Sequence, residues 1–275
     1  MGEFILNFTP TGMIPTKDMT PYVPVAPAEI VEQVLEAAEL GANMVHLHAR
    51  DEEGKPTHKK SVYEKIISGI REENKEIVIC VSTSGRNFSE FEKRSEVLEL
   101  EGDLKPDFAS LTLSSLNFNK QASINEPGMI KALATKMLQK GIRPELEAFD
   151  LGMINYAKYL INKGLIKQPF YFNLILGNIA CAQANMLSLG LMEKELPEGS
   201  IWSTGGVGDS QLKMNIMSLV AGGGVRVGLE DNIWFDEART RLATNVDLIK
   251  RILAIADALG EKPYSPKDAR KVLGL

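Results

Sequence analysis

The stretch PAEIVEQVLEAAELGANMVHLH, residues 27–48, contains a helix followed by a short strand, which is the repeating unit of a parallel α/β fold. Pro27 stands at the start of an amphipathic helical pattern and Gly41 just past its end, as is typical of helix termini. The apolar run that follows predicts a buried strand over 44–48. The fold class therefore depends on how often this unit recurs.

The alternation recurs along the whole chain. Strands are predicted at 4–8, 44–48, 76–82, 108–112, 143–148, 170–176, 201–203 and 225–228. Helices are predicted at 27–40, 61–73, 89–101, 126–140, 151–163, 182–195, 210–221 and 236–259. Strands that alternate with helices pair in parallel, and no linker, repeat or low-complexity segment interrupts these units. We therefore predict an α/β protein with a single-domain (β/α)8 TIM barrel over residues 1–275, with a doubly wound open sheet as the alternative.

Composition limits the classes of partner. The chain has 275 residues, 44% of them hydrophobic, and a net charge of −5, which argues against a nucleic-acid surface. No run of about 18 apolar residues predicts a membrane span. Cys80 and Cys181 are too few for a disulfide framework, and the first residues lack a basic, then apolar, leader pattern. We therefore expect a cytoplasmic protein.

Two of the three histidines, His46 and His48, end the strand quoted above. Side chains on a strand alternate between its faces, so both imidazoles should point the same way. Two imidazoles on one face are suitable ligands for a metal ion. The alternative is a pair of hydrogen-bonded histidines in the core.

Polar residues accumulate where the predicted strands end, and in a barrel the active site forms at these carboxyl ends. They are His46 and His48; Ser82, Thr83, Ser84, Gly85 and Arg86; Ser110, Thr112, Ser114 and Ser115; Glu145 and Glu147; Asn173; and Arg226, Glu230 and Asp231. Closure of the barrel would bring the eighth strand beside the first, so Glu230 could approach the histidine pair across one strand. Two histidines and one glutamate form a catalytic zinc set with an open position, although iron or manganese could also use it.

Other interpretations of these residues are open. Glu230 and Asp231 could be a solvated loop pair, and Arg226 could be a surface arginine. An arginine between Val225 and Val227 is, however, unusual in a strand unless it meets an anion or a carboxylate. Gly205 and Gly206, expected in the loop after the seventh strand, are a candidate cradle for a cofactor phosphate.

Four motifs give the chain a specific resemblance. They are VHLH at 45–48, VSTSG at 81–85, SSLNF at 114–118 and VRVGLEDN at 225–232. With them the chain resembles, over nearly its whole length, the β-keto acid cleavage enzymes, typified by 3-keto-5-aminohexanoate cleavage enzyme. The resemblance implies a TIM barrel, usually a homotetramer, with one divalent metal, typically Zn²⁺.

The resemblance also implies roles for individual residues. His46, His48 and Glu230 would be the metal ligands. The keto acid would be bound by Ser82 and Gly85 with Ser110, where the typical member has threonine, and Thr112 lies on the same strand. Asp231 would be the base, with Arg226 beside it and Glu147 as a further carboxylate.

The reaction of the family takes a β-keto acid and acetyl-CoA and yields acetoacetate and a new acyl-CoA. In it a Lewis acid would acidify the C2 proton, Asp231 would remove that proton, and a retro-Claisen step would split the chain. Two other functions stay open from the residues alone. One is a metal-dependent aldolase or hydrolase on the same barrel without CoA, and the other is a non-catalytic metal-binding protein.

One position departs from the family pattern. The typical member recognises the amino group of its substrate through a glutamate in the loop after the first strand, and Ile14 stands at the matching place here. An isoleucine cannot pair with an ammonium group. We therefore expect a keto acid with an apolar tail, or one with an anionic tail met by Lys17.

Overall fold

Eight parallel strands close into a barrel in the computed structural model, which describes residues 2–275. The strands are β1 (Leu6–Phe8), β2 (Met44–Leu47), β3 (Val78–Val81), β4 (Phe108–Thr112), β5 (Arg143–Ala148), β6 (Tyr171–Leu176), β7 (Ile201–Gly206) and β8 (Gly224–Val227). Each strand pairs with the next in chain order, and β8 pairs with β1. The predicted TIM barrel is confirmed, and the open sheet was the wrong alternative.

Helices cover the outside of the barrel. They are α1 (Pro27–Leu40), α2 (Lys60–Glu73), α3 (Phe91–Ser95), α4 (Pro127–Lys140), α5 (Leu151–Asn162), α6 (Met186–Lys194), α7 (Ser210–Val220), α8 (Asn245–Leu259) and α9 (Pro266–Val272). Helix α1 has the predicted bounds, and Gly41 ends it with a φ of 117°, a conformation that favours glycine. Within the described residues, no helix has both the length and the apolar character needed to cross a bilayer.

Several predicted elements have different bounds, and in three of them tertiary contacts override the local pattern. The helix predicted at 89–101 is the short α3 followed by 3-10 turns at Glu96–Glu99 and Gly102–Leu104. The helix predicted from 236 begins only at Asn245, where Thr244 caps it, because Asp236 accepts backbone hydrogen bonds from Thr240 and Arg241 and closes a turn. Strand β7 continues through Gly206 rather than ending at Ser203, since its last residues pair with β6.

The amino-terminal end of the barrel is closed by a helix that the sequence pattern did not predict. Ala269 of α9 and Leu273, which directly follows the helix, are fully buried there. They pack against barrel-interior residues Ile5, Met44, Val78, Cys80, Phe108 and Tyr171. Arg270 anchors α9 through Asp107, at 2.8 Å. Access to the barrel interior is therefore from the opposite end, where the strands finish.

Leu273→Ala tests the contribution of this closure. Because Leu273 is fully buried, its truncation should lower the free energy of unfolding by about 2–5 kcal/mol, measured by urea denaturation. Leu275→Ala is the matched control, since that side chain is 41% exposed, and it should change stability by less than about 0.5 kcal/mol. Equal stability of the two variants would contradict a sealing role for α9.

Candidate active site

The two histidines and Glu230 converge at the carboxyl end of the barrel. His46 lies on β2 and His48 follows its last residue, with 3.2 Å between their Nε2 atoms. Glu230 comes from the turn after β8, and its Oε1 lies 3.2 Å from Nε2 of His48. The approach is possible because β8 pairs with β1 and β1 with β2. The three predicted ligands are thus brought together.

This cluster fits a divalent metal ion. Ligand atoms held at tetrahedral positions around zinc lie about 3.3 Å from one another, close to the 3.2 Å separations here. Glu230 Oε2 is buried and has no hydrogen-bond partner among the described residues. A buried carboxylate oxygen without a donor is costly, and a metal ion would satisfy it.

Glu145 stands behind His46 and orients it. Its Oε2 lies 2.5 Å from Nδ1 of His46, and its Oε1 accepts a hydrogen bond of 2.7 Å from Asn7. A carboxylate at Nδ1 fixes the tautomer that leaves Nε2 free for a metal. Burial lowers the pKa of His46, but the charges of Glu145 and Glu230 outweigh it and raise that pKa to about 9. The sequence analysis listed Glu145 with Glu147 among the polar residues of the strand ends but gave no role to Glu145.

Arg226 on β8 joins the acidic residues of the site. It donates from Nη2 to Glu230 Oε1 at 2.7 Å and from Nε to Asp231 Oδ2 at 2.9 Å. Its Nη1 lies 3.8 Å from Glu147 Oε1. The guanidinium is almost fully buried, so the surface interpretation of Arg226 is wrong and the ion-paired one is correct.

Asp231 and Glu147 are suited to hold a proton. Burial raises the pKa of each carboxyl above its usual value, although Arg226 acts in the opposite direction. Thr112 donates a hydrogen bond of 2.7 Å to Glu147. A carboxylate whose pKa is raised is a better general base near neutral pH than an exposed one.

The ends of β3 and β4 form one wall of the site. Ser82 lies with His48 beside a cleft at the barrel mouth. Ser110 is buried, and its hydroxyl accepts a hydrogen bond of 3.1 Å from the backbone N–H of Thr83. Gly85 lies against the Ile124 carbonyl, where a Cβ would approach to 2.4 Å. Ser110 therefore supports the loop that carries Ser82 and Gly85.

Gly205 and Gly206 are not in the loop after the seventh strand, and that expectation was wrong. They are the last residues of β7. A Cβ at Gly205 would lie 3.0 Å from Cδ of Arg226, and one at Gly206 would lie 2.6 Å from the backbone of Ser210. Their small size makes room for Arg226 and for the first turn of α7. Their part in binding a cofactor stays a prediction.

The loop after β1 lies over the metal-ligand cluster. Gly12 has a φ of +62°, and a Cβ there would lie 2.5 Å from Cγ of Glu230. Arg50 fixes the loop by donating to the carbonyls of Gly12, at 2.7 Å, and Pro15, at 3.0 Å. Ile14 is 49% exposed on this loop. Lys17 is occupied by Glu29, at 2.8 Å.

The fold and this site together define a TIM-barrel enzyme with a two-histidine, one-glutamate cluster. A family model described as beta-keto acid cleavage enzyme matches residues 3–275, and the chain belongs to this family. The CoA-independent aldolase or hydrolase is therefore not favoured.

Individual relatives are similar to this chain over nearly their whole length. The chain is 34% identical over 277 residues to the 3-keto-5-aminohexanoate cleavage enzyme of Fusobacterium nucleatum, covering 100% of this chain and 99% of the relative. It is 32% identical over 274 residues to the 3-oxoadipate:acetyl-CoA acetyltransferase of Cupriavidus necator, covering 98% and 94%. A solved ternary complex of ObcA with a C4-CoA adduct and oxalate has a TM-score of 0.82 at 21% identity, over 93% of this chain and 68% of that chain. That likeness shows the fold.

Proposed function

We propose that this enzyme condenses a β-keto acid with acetyl-CoA and releases acetoacetate and a new acyl-CoA. The observation that carries the proposal is the convergence of the histidine–glutamate cluster with Arg226 and Asp231 at the barrel mouth, in a chain of this family. The name of the Cupriavidus necator relative, a 3-oxoadipate:acetyl-CoA acetyltransferase, supports acetyl-CoA as the co-substrate.

His46, His48 and Glu230 would hold one divalent ion, for which zinc is our choice because the set leaves a coordination position open. When bound, such an ion supplies Lewis-acid chemistry at the oxygens of the keto acid. Ser82 and Gly85 would bind the keto acid beside the cluster, supported by Ser110. Gly205 and Gly206 would border the acetyl-CoA.

Asp231 would take the proton from C2 of the keto acid, and Arg226, bonded to that carboxylate at 2.9 Å, would hold it in position. C2 then forms a bond to the acetyl carbonyl carbon, and CoA leaves as its thiolate. The thiolate adds to the original ketone carbon, and the bond from that carbon to C2 breaks. The proton on Asp231 returns to the C2 carbanion. Glu147, held by Thr112, is the second carboxylate placed beside the reacting atoms.

The substrate would lack an ammonium group on its tail. Ile14 offers no charge, and Lys17 is already paired with Glu29, which weakens its role as a partner for an anionic tail. The resemblance to 3-keto-5-aminohexanoate cleavage enzyme also suggests a part in a lysine fermentation-like pathway. The uncharged Ile14 argues against that part, because the substrate of such an enzyme is aminated. A cytoplasmic location and a homotetramer are also proposed, the latter supported by the exposed apolar side chains of Met186 and Leu187.

The metal proposal predicts that the affinity for zinc falls to different extents when a ligand is removed and when the residue that orients it is changed. His46→Ala should abolish stoichiometric zinc binding, because a ligand is lost. Glu145→Gln should retain a site whose affinity is about 10–100-fold weaker, since only the orienting group changes. Both are measured by zinc titration against a competing chelator. His58→Ala is the control, because His58 pairs with Glu96 outside the cluster, and it should bind zinc like the unaltered protein. Full zinc affinity in His46→Ala would contradict the proposal.

The reaction is tested by incubating the enzyme with β-keto acids with and without acetyl-CoA. Acetoacetate should form only when acetyl-CoA is present. Asp231→Asn should reduce kcat by about 10²–10⁴-fold while zinc content is retained, because the base is lost and the ligands are not. Acetoacetate formed equally without acetyl-CoA would support the aldolase or hydrolase alternative instead.

The tail preference is tested at position 14. Ile14→Glu should raise kcat/KM for a 5-amino β-keto acid relative to its unaminated counterpart, because a carboxylate can pair with the ammonium group. Ile14→Gln is the matched control of equal size without charge and should not produce the shift. An unchanged ratio in Ile14→Glu would show that this position does not contact the tail.

A further inference from the structure

The side chain of Arg86, in the loop after β3, forms no hydrogen bond and no ion pair within residues 2–275. Its Nε atom is buried without a hydrogen-bond partner among the described residues. The carboxylates of the site are bonded to Arg226 instead. Another buried arginine of this region differs, because Arg94 donates to Thr83, Ile124 and Asn125. A buried guanidinium N–H without an acceptor is costly, and an arginine whose other donors are also unpaired is suited to bind an anion.

The guanidinium of Arg86 is also held in a fixed position. Its central carbon lies 3.6 Å from the centroid of the Phe118 ring. Phe118 belongs to the segment after β4, and Gln121 of the same segment donates a hydrogen bond of 3.4 Å to Asn87. Stacking on an aromatic face orients the planar fork of an arginine before the ligand arrives. The two loops therefore present Arg86 at the barrel mouth.

Arg86 directly follows Gly85 on the loop that also carries Ser82, the two residues proposed to bind the keto acid. Burial lowers its pKa, and the charges of Glu230, Glu147 and Asp231 act on it in the opposite direction. A substrate carboxylate that enters beside these three carboxylates needs a cation to offset the repulsion. Arg226 already donates to Asp231 and Glu230 through Nε and Nη2, whereas no donor of the Arg86 guanidinium has a hydrogen-bond partner within residues 2–275.

We propose that Arg86 binds a carboxylate of the β-keto acid and thereby selects anionic substrates. This inference rests on the proposed function and deepens it. Two carboxylates fit this role in the same way: the one at C1, and a second one at the far end of a dicarboxylic keto acid. The phosphates of CoA are separated from the thioester by the whole pantetheine chain, whereas Arg86 directly follows Gly85 on the loop proposed to bind the keto acid, which favours the keto acid.

The test compares Arg86→Met and Arg86→Lys with the unaltered enzyme on two keto acids of equal length. One six-carbon 3-oxo acid has a terminal carboxylate, and the other has a terminal methyl group. Arg86→Met should raise KM for the keto acid at least about tenfold and leave KM for acetyl-CoA unchanged, because a bidentate charged contact is lost. Arg86→Lys should recover part of the loss. Calorimetric binding of each keto acid to the zinc-loaded enzyme without acetyl-CoA gives a second measurement that does not depend on turnover.

The control is Arg241→Met, since Arg241 also stacks on a phenylalanine, Phe235, and is 58% exposed beside Asp247. Arg241→Met should leave KM for the keto acid and KM for acetyl-CoA unchanged.

A rise in KM of Arg86→Met for both keto acids supports contact with the C1 carboxylate. A rise in KM for the dicarboxylic acid alone supports contact with its distal carboxylate. Unchanged keto acid binding, or a change only in KM for acetyl-CoA, overturns the inference. Absence of acetyl-CoA-dependent turnover in the unaltered enzyme would instead refute the proposed function, while the calorimetric comparison would still decide the role of Arg86.

Discussion

The ion pairs of Arg226 are the interaction on which the rest of the site depends. One almost fully buried guanidinium bonds both Glu230 and Asp231 and lies near Glu147. Without a positive charge at this depth, three carboxylates could not stay ionised together inside a barrel. Asn215 of α7 donates to the backbone carbonyls of Thr204 and Arg226, at 2.9 Å each, and so fixes β7 and β8 around this residue.

Below the histidines, the barrel interior is a connected polar layer rather than an apolar filling. Glu145 accepts from Asn7 as well as pairing with His46, and Tyr171 donates to Ser203 at 2.9 Å. Beneath this layer the interior becomes apolar and is sealed by α9. Hydrogen bonds in a low-dielectric interior are strong, and those of Glu145 set the orientation of His46 before any ligand binds. The cost of burying Glu145 is offset by its hydrogen bonds with Asn7 and His46.

In the proposed function, the reacting groups and the residues that select the substrate lie on different parts of the molecule. The proposed ligands and base come from strands and from the turn directly after β8, whose positions the barrel determines. Ile14, Arg50, Arg86 and Phe118 stand on loops or short segments beyond the strands. Changes in the loops can therefore alter which keto acid is accepted without moving the residues that react with it, as is general for barrels of this kind.

The sequence by itself determined the barrel, because helix and strand periodicity and the residues at helix ends are local properties. It also determined that His46 and His48 share a face and that Glu230 could reach them, since strand order follows from closure. Only the tertiary structure decided the role of Glu145, the pairing of Arg226, the sealing helix α9 and the unpartnered state of Arg86. Each of these depends on distances between residues far apart in the chain, and no local pattern encodes such distances. The extension of β7 through Gly205 and Gly206 was missed for the same reason: glycines predict a turn locally, whereas pairing with β6 and the space needed by Arg226 keep them in the strand.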